Sequence, residues 1–342
     1  MALSVLGTGS CLPTRVVDND ELSRLTGLQA SRIEELFEIR ERRWARGPDS
    51  SRPVAGQHCS DLAVGACRAA LQSAGLADDD VDTLIVVTVT PDCVNPSLDT
   101  LVCQKLGWVG KTAFTIQAPC TGAFRAAILA DALVAAGRSR CVSIVASETS
   151  SPFFRFGPDV PEDHKLNSVL YGDAAAALVV GAADNVRSTM DSFVFRAVAS
   201  ADRVGIAFPG RQSAIPPGAE LDSTYEDLGY HEFRRVLRHG SRLAGQAARE
   251  VLTAAQLEST DVRWFLTHQA TGNLRRIGES VGIPPEKMPL NIGRVGNTVS
   301  ASVLLLLDEL VREGRTSAGD ELVLHTAESS SWSYAGARIT WR

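Results

Sequence analysis

The sequence has no excess of basic residues and no long apolar run. Its 342 residues carry a formal net charge of −6 at pH 7. No block of lysine or arginine stands out, which argues against nucleic-acid binding because that function needs a basic surface. Residues 1–13 lack the basic start and apolar stretch of a signal peptide, and no apolar run approaches membrane-spanning length. We therefore expect a cytoplasmic protein that binds neither nucleic acid nor a membrane.

The seven cysteines form no CxxC pair, and none lies at zinc-finger spacing from a histidine. All of them fall in the first half of the chain, and their number is odd. In a reducing compartment most of them are expected to be small buried apolar residues. A role as nucleophile therefore has to be argued for an individual cysteine from its neighbours.

Two stretches of the chain repeat each other. Residues 62–87 align without a gap on residues 243–268, with nine identical positions, and residues 119–138 align on residues 296–315. The first alignment places Val87 on His268, and the second places Cys120 on Asn297. We therefore predict two similar halves, residues 1–181 with the cysteine and residues 182–342 with the histidine and the asparagine. A thiol, an imidazole and an amide at duplicated positions suit thioester chemistry.

Apolar, β-branched runs alternate with helical patterns along the chain. We predict buried strands at 84–89, 113–117, 141–147 and 176–180, and helices at 60–74, 121–136, 243–255 and 299–313. Such alternation is typical of α/β layers around largely buried sheets. Two proline-containing segments are predicted to be of the kind that sets substrate selectivity: 151–170, a long loop or cap, and 205–225, another loop. The GTGS at 7–10 lacks the third glycine of a nucleotide-binding motif, so we predict a turn after the first strand.

The residues at the duplicated positions carry the predicted chemistry. Cys120 follows a strand and precedes a helix, whose N-terminus can favour a thiolate and hold an oxyanion. A cysteine packed in a tight turn is the alternative. His268 lies at the C-terminal end of a predicted strand, where α/β sites commonly open. Asn297 precedes a helix and by itself is equally typical of an N-cap. Only the combination of the three residues indicates a site.

Seven segments carry a resemblance to a known family. They include VLGTGSCLPTRVVDNDEL, APCTGAF around Cys120, YGDAAAALVVG, THQATGNLRRIGESVGI around His268, and GNTVSASVLLLLDE with Asn297. Over nearly its full length the chain resembles the type III β-ketoacyl-acyl carrier protein (ACP) synthases of the thiolase superfamily. The resemblance implies an α/β, thiolase-like, five-layered αβαβα fold made of two duplicated halves. It also implies a homodimer.

The resemblance further implies how the site acts. Cys120 takes an acyl group from a CoA or ACP thioester and becomes an acyl-enzyme. His268 and Asn297 hydrogen-bond the thioester carbonyl of malonyl-ACP and stabilise the enolate left by loss of CO2, which attacks the acyl group. Cys120 and Gly336 are the implied oxyanion hole. No metal or redox cofactor is implied, since acyl-CoA and acyl-ACP are substrates.

Departures from the family pattern indicate a specialised member. Arg32 and Leu36 stand where the chain-initiating synthases of fatty-acid pathways have a Trp and an Arg that hold the CoA adenine. Thr271 replaces the last residue of the usual HQAN. The glycine-rich loop near the C-terminus is replaced by SSSWSYAGARITW, with Arg338 where a glycine is usual. We therefore expect a role in secondary metabolism, in polyketide or fatty acyl biosynthesis.

Two alternatives to a condensing enzyme stay open. A related acyltransferase would move the acyl group to a hydroxyl, an amine or another carrier, with His268 as general base. An inactive subunit that shapes an active dimer would have no physical need for the three polar side chains.

The resemblance also suggests contacts with the substrate and with a carrier protein. The suggested substrate-binding residues are Phe153, Phe154, Phe156, Leu98 and Thr271. The suggested carrier-protein contacts, through which an acidic partner could be steered, are Arg40, Arg42, Arg275 and Arg276.

Overall fold

The structure is a computed structural model that describes residues 2–47, 52–183, 187–198, 205–207, 230–271 and 274–342. The strands are β1 (Leu3–Cys11), β2 (Arg15–Asp18), β3 (Glu41–Trp44), β4 (Thr83–Val87), β5 (Thr112–Ile116), β6 (Cys141–Glu148), β7 (Ala174–Ala182), β8 (Thr189–Ala197), β9 (Ile206–Ala207), β10 (Tyr230–His231), β11 (Val262–Thr267), β12 (Glu321–Glu328) and β13 (Ser333–Thr340). The helices are α1 (Asn19–Thr26), α2 (Ala30–Phe37), α3 (Cys59–Ala74), α4 (Leu98–Leu106), α5 (Gly122–Ala135), α6 (Glu162–Leu170), α7 (Phe233–Ala255), α8 (Arg275–Glu279), α9 (Ile292–Val295) and α10 (Ser302–Arg312). Within these ranges, no helix has both the length and the apolar character needed to cross a membrane.

Among the described residues, nine strands are hydrogen-bonded in the order β11-β12-β13-β8-β1-β7-β6-β4-β5. The row has two parts, which meet where Leu3 of β1 pairs with Met190 of β8. Helix α3 packs on β1, β6 and β7 of one part, and α7 packs on β8, β12 and β13 of the other. Helices α5 and α10 contact strands of both parts and so form a middle layer. The predicted five-layered αβαβα arrangement is confirmed.

The repeated stretches form equivalent elements. The first repeat lies in α3 and β4, and its copy lies in α7 and β11. Strand β4 runs parallel to β6, which is antiparallel to β7; β11 likewise runs parallel to β12, which is antiparallel to β13. The second pair of repeats supplies the two helices of the middle layer. The predicted boundary after residue 181 falls at the end of β7.

Burial explains why these elements form. Strands β4, β6 and β7 are buried on both faces, as expected for Val, Ile and Ala runs between helical layers. Helix α7 buries one face, which includes Leu243, Ala247 and Val251. It begins ten residues before the predicted start, because its first turns carry four arginines that weaken the apolar pattern used to place the helix.

Two predictions about loops are wrong in part. Gly7 and Gly9 lie inside β1, not in a turn after it. A Cβ atom at Gly9 would come within 2.2 Å of the Ala70 backbone nitrogen, so the glycine lets α3 approach the strand closely. The predicted loop at 151–170 is partly helical, because α6 occupies its second half. Most of the predicted loop at 205–225 lies outside the described residues.

Candidate active site

A cavity of about 260 Å³ brings the residues at the duplicated positions together. Its wall includes Cys120, His268 and Asn297. Thr271 and Phe153, two of the suggested substrate-binding residues, also line it. Most of the remaining wall is apolar, and part of it comes from the first turns of α7. The tertiary structure therefore brings together the three residues at the duplicated positions, as the repeats predict.

Cys120 lies in the turn between β5 and α5, as predicted. The helix begins at Gly122, where a Cβ atom would come 2.2 Å from Cγ1 of Val87 at the end of β4. Only glycine allows the start of α5 to pack so close to that strand. The Cys120 side chain is partly exposed, and Cys120 lines the cavity together with His268 and Asn297.

The charges around Cys120 oppose the predicted thiolate. The buried carboxylate of Glu328, at the end of β12, accepts hydrogen bonds from the Thr121 backbone N–H at 3.1 Å and from its hydroxyl at 2.6 Å. Arg125 lies 3.4 Å from the same carboxylate. Burial, and then the charges of Glu328 and Glu148, raise the pKa of the Cys120 thiol well above its usual range. The helix N-terminus that was expected to favour a thiolate is thus partly occupied by an anion.

The second carboxylate, Glu148, is fully buried at the end of β6. It accepts hydrogen bonds from the Ser300 hydroxyl at 2.6 Å and from the Thr90 hydroxyl at 2.7 Å. Burial raises its pKa to about 7 despite these hydrogen bonds. In the described part of the chain, no group of three or more His, Cys, Asp or Glu side chains is placed to hold a metal ion.

Glu148→Gln is expected to change the pH dependence of stability. Because the native pKa of Glu148 is raised from 4.5 to about 7, its contribution to stability is complete below pH 4.5 and is lost as the pH rises through 7. A neutral glutamine does not lose it, so the melting temperature of the variant relative to the natural protein should rise between pH 5 and pH 8. The corresponding free energy is at most about 3 kcal/mol, at about 1.4 kcal/mol for each pKa unit. Thermal unfolding at both pH values checks this, and a pH-independent difference would contradict it.

His268 directly follows β11, and its neighbours fix it in place. Its backbone N–H donates to the His325 carbonyl at 3.0 Å. The buried amide of Gln269 donates to the Thr267 carbonyl and accepts from the Asn291 N–H at 3.1 Å. Burial lowers the pKa of His268 to about 4, so the imidazole is neutral near pH 7. Within the described ranges, its Nδ1 atom has no hydrogen-bond partner.

Asn297 is held by the segment that precedes β7. Its N–H donates to the Leu170 carbonyl at 2.9 Å, and its carbonyl accepts from the Gly172 N–H at 3.0 Å. Gly296 before it has a φ of 68°, and a Cβ atom there would come 3.0 Å from the Leu170 carbonyl oxygen. The side-chain Oδ1 accepts from the Val299 N–H at 2.9 Å, which is the predicted capping role. The Nδ2 end makes a long contact, 3.5 Å from the Ala270 carbonyl oxygen, and still has an N–H for a ligand.

Arg42, suggested as a carrier-protein contact, is completely buried instead. Its guanidinium donates to Asn19 Oδ1 at 2.7 Å and to the Val169 carbonyl at 2.5 Å. Burial lowers its pKa to about 9. Its Cβ lies 3.3 Å from the positions that Cβ atoms would take at Gly172 and Gly296. Arg42 therefore supports the loops that hold Asn297 and cannot meet a partner.

Three suggested substrate-binding residues do not line the cavity. Phe154 packs on Trp44, with ring centroids 5.4 Å apart, and Phe156 stacks on the same ring at 6.0 Å. Leu98 is fully buried in α4, in the core around α3. These three predictions are wrong, because the aromatic and apolar side chains fill spaces between elements.

Gly336 was predicted to belong to an oxyanion hole, and this is also wrong. It lies in the middle of β13, opposite His325. A Cβ atom there would come 2.5 Å from Val251 Cγ2, so glycine allows α7 to pack closely on the sheet. The residues of this C-terminal region that line the cavity include Glu328, Ser329 and Ser330.

Arg40, Arg275 and Arg276 are exposed, so their contact with a carrier protein stays a prediction. The sequence reasoning missed several residues in and around the cavity. Glu148 and Glu328 could have been found, because each ends a buried strand, as His268 nearly does. His231 and the α7 residues that line the cavity lay in a stretch with no apolar periodicity and were not found.

Comparison with known proteins agrees with this geometry. Residues 114–198 match the family model for 3-oxoacyl-[acyl-carrier-protein] synthase III, and residues 252–341 match the model for its C-terminal part. The chain is 33% identical to the β-ketoacyl-ACP synthase III of Thiobacillus denitrificans, over 98% of both chains.

Two solved structures are similar over almost the whole chain. The synthase III of Thermus thermophilus has a TM-score of 0.83 at 29% identity, with 99% of each chain covered. The priming β-ketosynthase of the R1128 polyketide biosynthetic pathway has a TM-score of 0.79 at 28% identity, covering 99% of this chain and 96% of that one. The protein therefore belongs to the 3-oxoacyl-ACP synthase III family.

Proposed function

We propose that this protein condenses an acyl thioester with malonyl-ACP through an acyl-enzyme on Cys120. In the first step the Cys120 sulfur attacks the carbonyl of the acyl donor. The donor's carbon–sulfur bond breaks, and the proton of the thiol leaves with the departing CoA or ACP thiol. The Cys120 backbone N–H is a donor for the oxyanion, whereas the Thr121 N–H is already bound to Glu328.

In the second step, His268 and Asn297 bind the thioester oxygen of malonyl-ACP. Loss of CO2 leaves an electron pair that becomes the enolate, and donors aimed at that oxygen stabilise it. The enolate carbon attacks the acyl carbonyl, and the bond to the Cys120 sulfur breaks. The β-ketoacyl-ACP leaves, and the sulfur takes a proton from solvent.

The observation that carries this proposal is the meeting of a thiol, a neutral imidazole and an oriented amide in one largely apolar cavity. The pKa of His268, lowered to about 4, also argues against the acyltransferase alternative. A general base works best when its pKa lies near the working pH, and His268 is far from that. A neutral imidazole is well suited to donate a hydrogen bond. An inactive subunit would not need the three residues to meet.

The pathway and the partners are part of the proposal. Similarity to a polyketide priming ketosynthase supports a role in secondary metabolism, as do Thr271 and the serines after Glu328. The exposed Arg40, Arg275 and Arg276 suit an acidic carrier protein. Among the described strands, β5 ends the row, exposes Phe114 and has no partner along its outer edge, which suits a homodimer.

The test is mass spectrometry of the carrier protein after reaction with a panel of acyl-CoA and acyl-ACP donors and malonyl-ACP. We expect a β-ketoacyl-ACP and release of CO2. Transfer of the acyl group to a hydroxyl or amine without release of CO2 would favour the acyltransferase instead. Native mass spectrometry of the same sample checks the homodimer, which a single-chain mass would contradict.

A further inference from the structure

His231 is a second histidine in the wall of the cavity. Only 3% of its surface is exposed. Its Nδ1 atom lies 2.7 Å from Oδ1 of Asn167 in α6. No described residue lies within hydrogen-bonding distance of its Nε2 atom. The mechanism proposed above makes no use of this side chain.

The contact with Asn167 determines which ring nitrogen carries the proton. An amide oxygen only accepts hydrogen bonds, so Nδ1 must donate and hold the proton. Burial lowers the pKa of His231 to about 3, which keeps the ring neutral near pH 7. Nε2 is therefore a bare lone pair, a hydrogen-bond acceptor. With so low a pKa it is a poor base, so its chemistry is recognition and not proton removal.

The surroundings of Nε2 are otherwise aromatic and apolar. The ring stacks on Phe233 with centroids 3.6 Å apart, and the ring of Tyr171 lies at 6.4 Å. Buried polar atoms in proteins are nearly always paired, so an unpaired acceptor in such a wall indicates a missing partner. A ligand in the cavity can supply it.

The position of His231 indicates which part of a ligand this is. Tyr171 connects it to the reaction centre, because the Tyr171 backbone pairs with Asn297 and Tyr171 lines the same cavity as Cys120. His231 thus belongs to the part of the cavity beside the nucleophile. That part receives the acyl group once it is attached to the Cys120 sulfur.

We propose that His231 Nε2 accepts a hydrogen bond from a hydroxyl group on the acyl chain, so that the protein selects hydroxyacyl thioesters. This inference rests on the proposed function only in taking an acyl thioester as the ligand. An amide N–H or a hydroxyl of the pantetheine arm offers the same donor chemistry, and the experiment separates the two sources.

The experiment compares matched pairs of N-acetylcysteamine thioesters, each a plain acyl chain and its monohydroxylated form. Mass spectrometry follows the rate of acyl-adduct formation on Cys120. We expect the natural protein to prefer the hydroxylated form at one hydroxyl position by about tenfold, which corresponds to about 1.4 kcal/mol, the scale of a single hydrogen bond. No preference at any position would overturn the proposal.

Two variants of His231 separate recognition from a structural role. His231→Asn keeps a donor for Asn167 and removes the acceptor at Nε2, so the preference should fall to about one. His231→Gln keeps an acceptor near the Nε2 position, and part of the preference should return. If His231→Asn slows both members of each pair equally, His231 contacts the shared thioester arm or only supports the fold, and the proposal is wrong.

Calorimetry of the same pairs with Cys120→Ala measures binding of the thioesters without acyl transfer. A preference for the hydroxylated form that His231→Asn abolishes supports the inference even where no adduct forms and the proposed condensation fails. Equal binding of both forms overturns the inference and leaves the condensation proposal standing. Absence of any thioester binding overturns both.

Discussion

Cys120→Ala is expected to reduce β-ketoacyl-ACP formation by at least about a thousandfold, since no other described residue of the cavity wall carries a thiol to replace the nucleophile of a covalent mechanism. The acyl adduct should also disappear from the intact-protein mass spectrum. The fold should not change, because the Cys120 side chain is partly exposed and lies at the edge of the core. It forms no hydrogen bond with another described side chain.

The matched control for this variant is Cys93→Ala. Cys93 is exposed and does not line the cavity. Its loss should leave both the adduct and the product rate within about twofold of the natural protein, as for most surface changes. An adduct that persists in Cys120→Ala, or one that disappears in Cys93→Ala, would show that another cysteine is the nucleophile.

Asn297→Asp is expected to separate the two half-reactions. The aspartate keeps an oxygen for the Val299 N–H, so the turn that Asn297 caps should stay formed. The amide donor is lost, and an anion would repel a developing enolate. Condensation should fall about 100- to 1,000-fold, the usual cost of one donor at an oxyanion. Acylation of Cys120 should continue, because that step does not use the amide.

The measurement is the adduct mass with acyl donor alone, followed by the product mass after malonyl-ACP is added. An adduct that forms and then persists is the expected result. His268→Ala should behave similarly, because it removes the second donor. If acylation and condensation fell together in both variants while the melting temperature was unchanged, His268 and Asn297 would instead activate Cys120.

The elements that the sequence predicted well are those whose burial follows a simple period. Strands β4, β6 and β7 are buried along almost their whole length, and α3 and α5 bury regular faces. Where one side of an element carries many charges, as in the first turns of α7, the pattern alone missed its start. Gly9 shows the same limit. Glycine is required there because the backbone of Ala70, 61 positions further along the chain, packs against it.

The duplicated stretches and their family motifs determined the order of the layers and the three residues Cys120, His268 and Asn297, because repeated sequence folds into repeated elements that open at the same edge. What surrounds those residues was decided only by the tertiary structure. Glu328 comes from a strand that lies far from Cys120 in the sequence, yet after burial its charge is the largest cause that raises the pKa of the thiol. Arg42 is buried and not exposed, because the Val169 carbonyl and Asn19 Oδ1 accept hydrogen bonds from its guanidinium. Charge, burial and unpaired atoms at a site depend on which distant segments meet, and local patterns in a sequence do not contain that information.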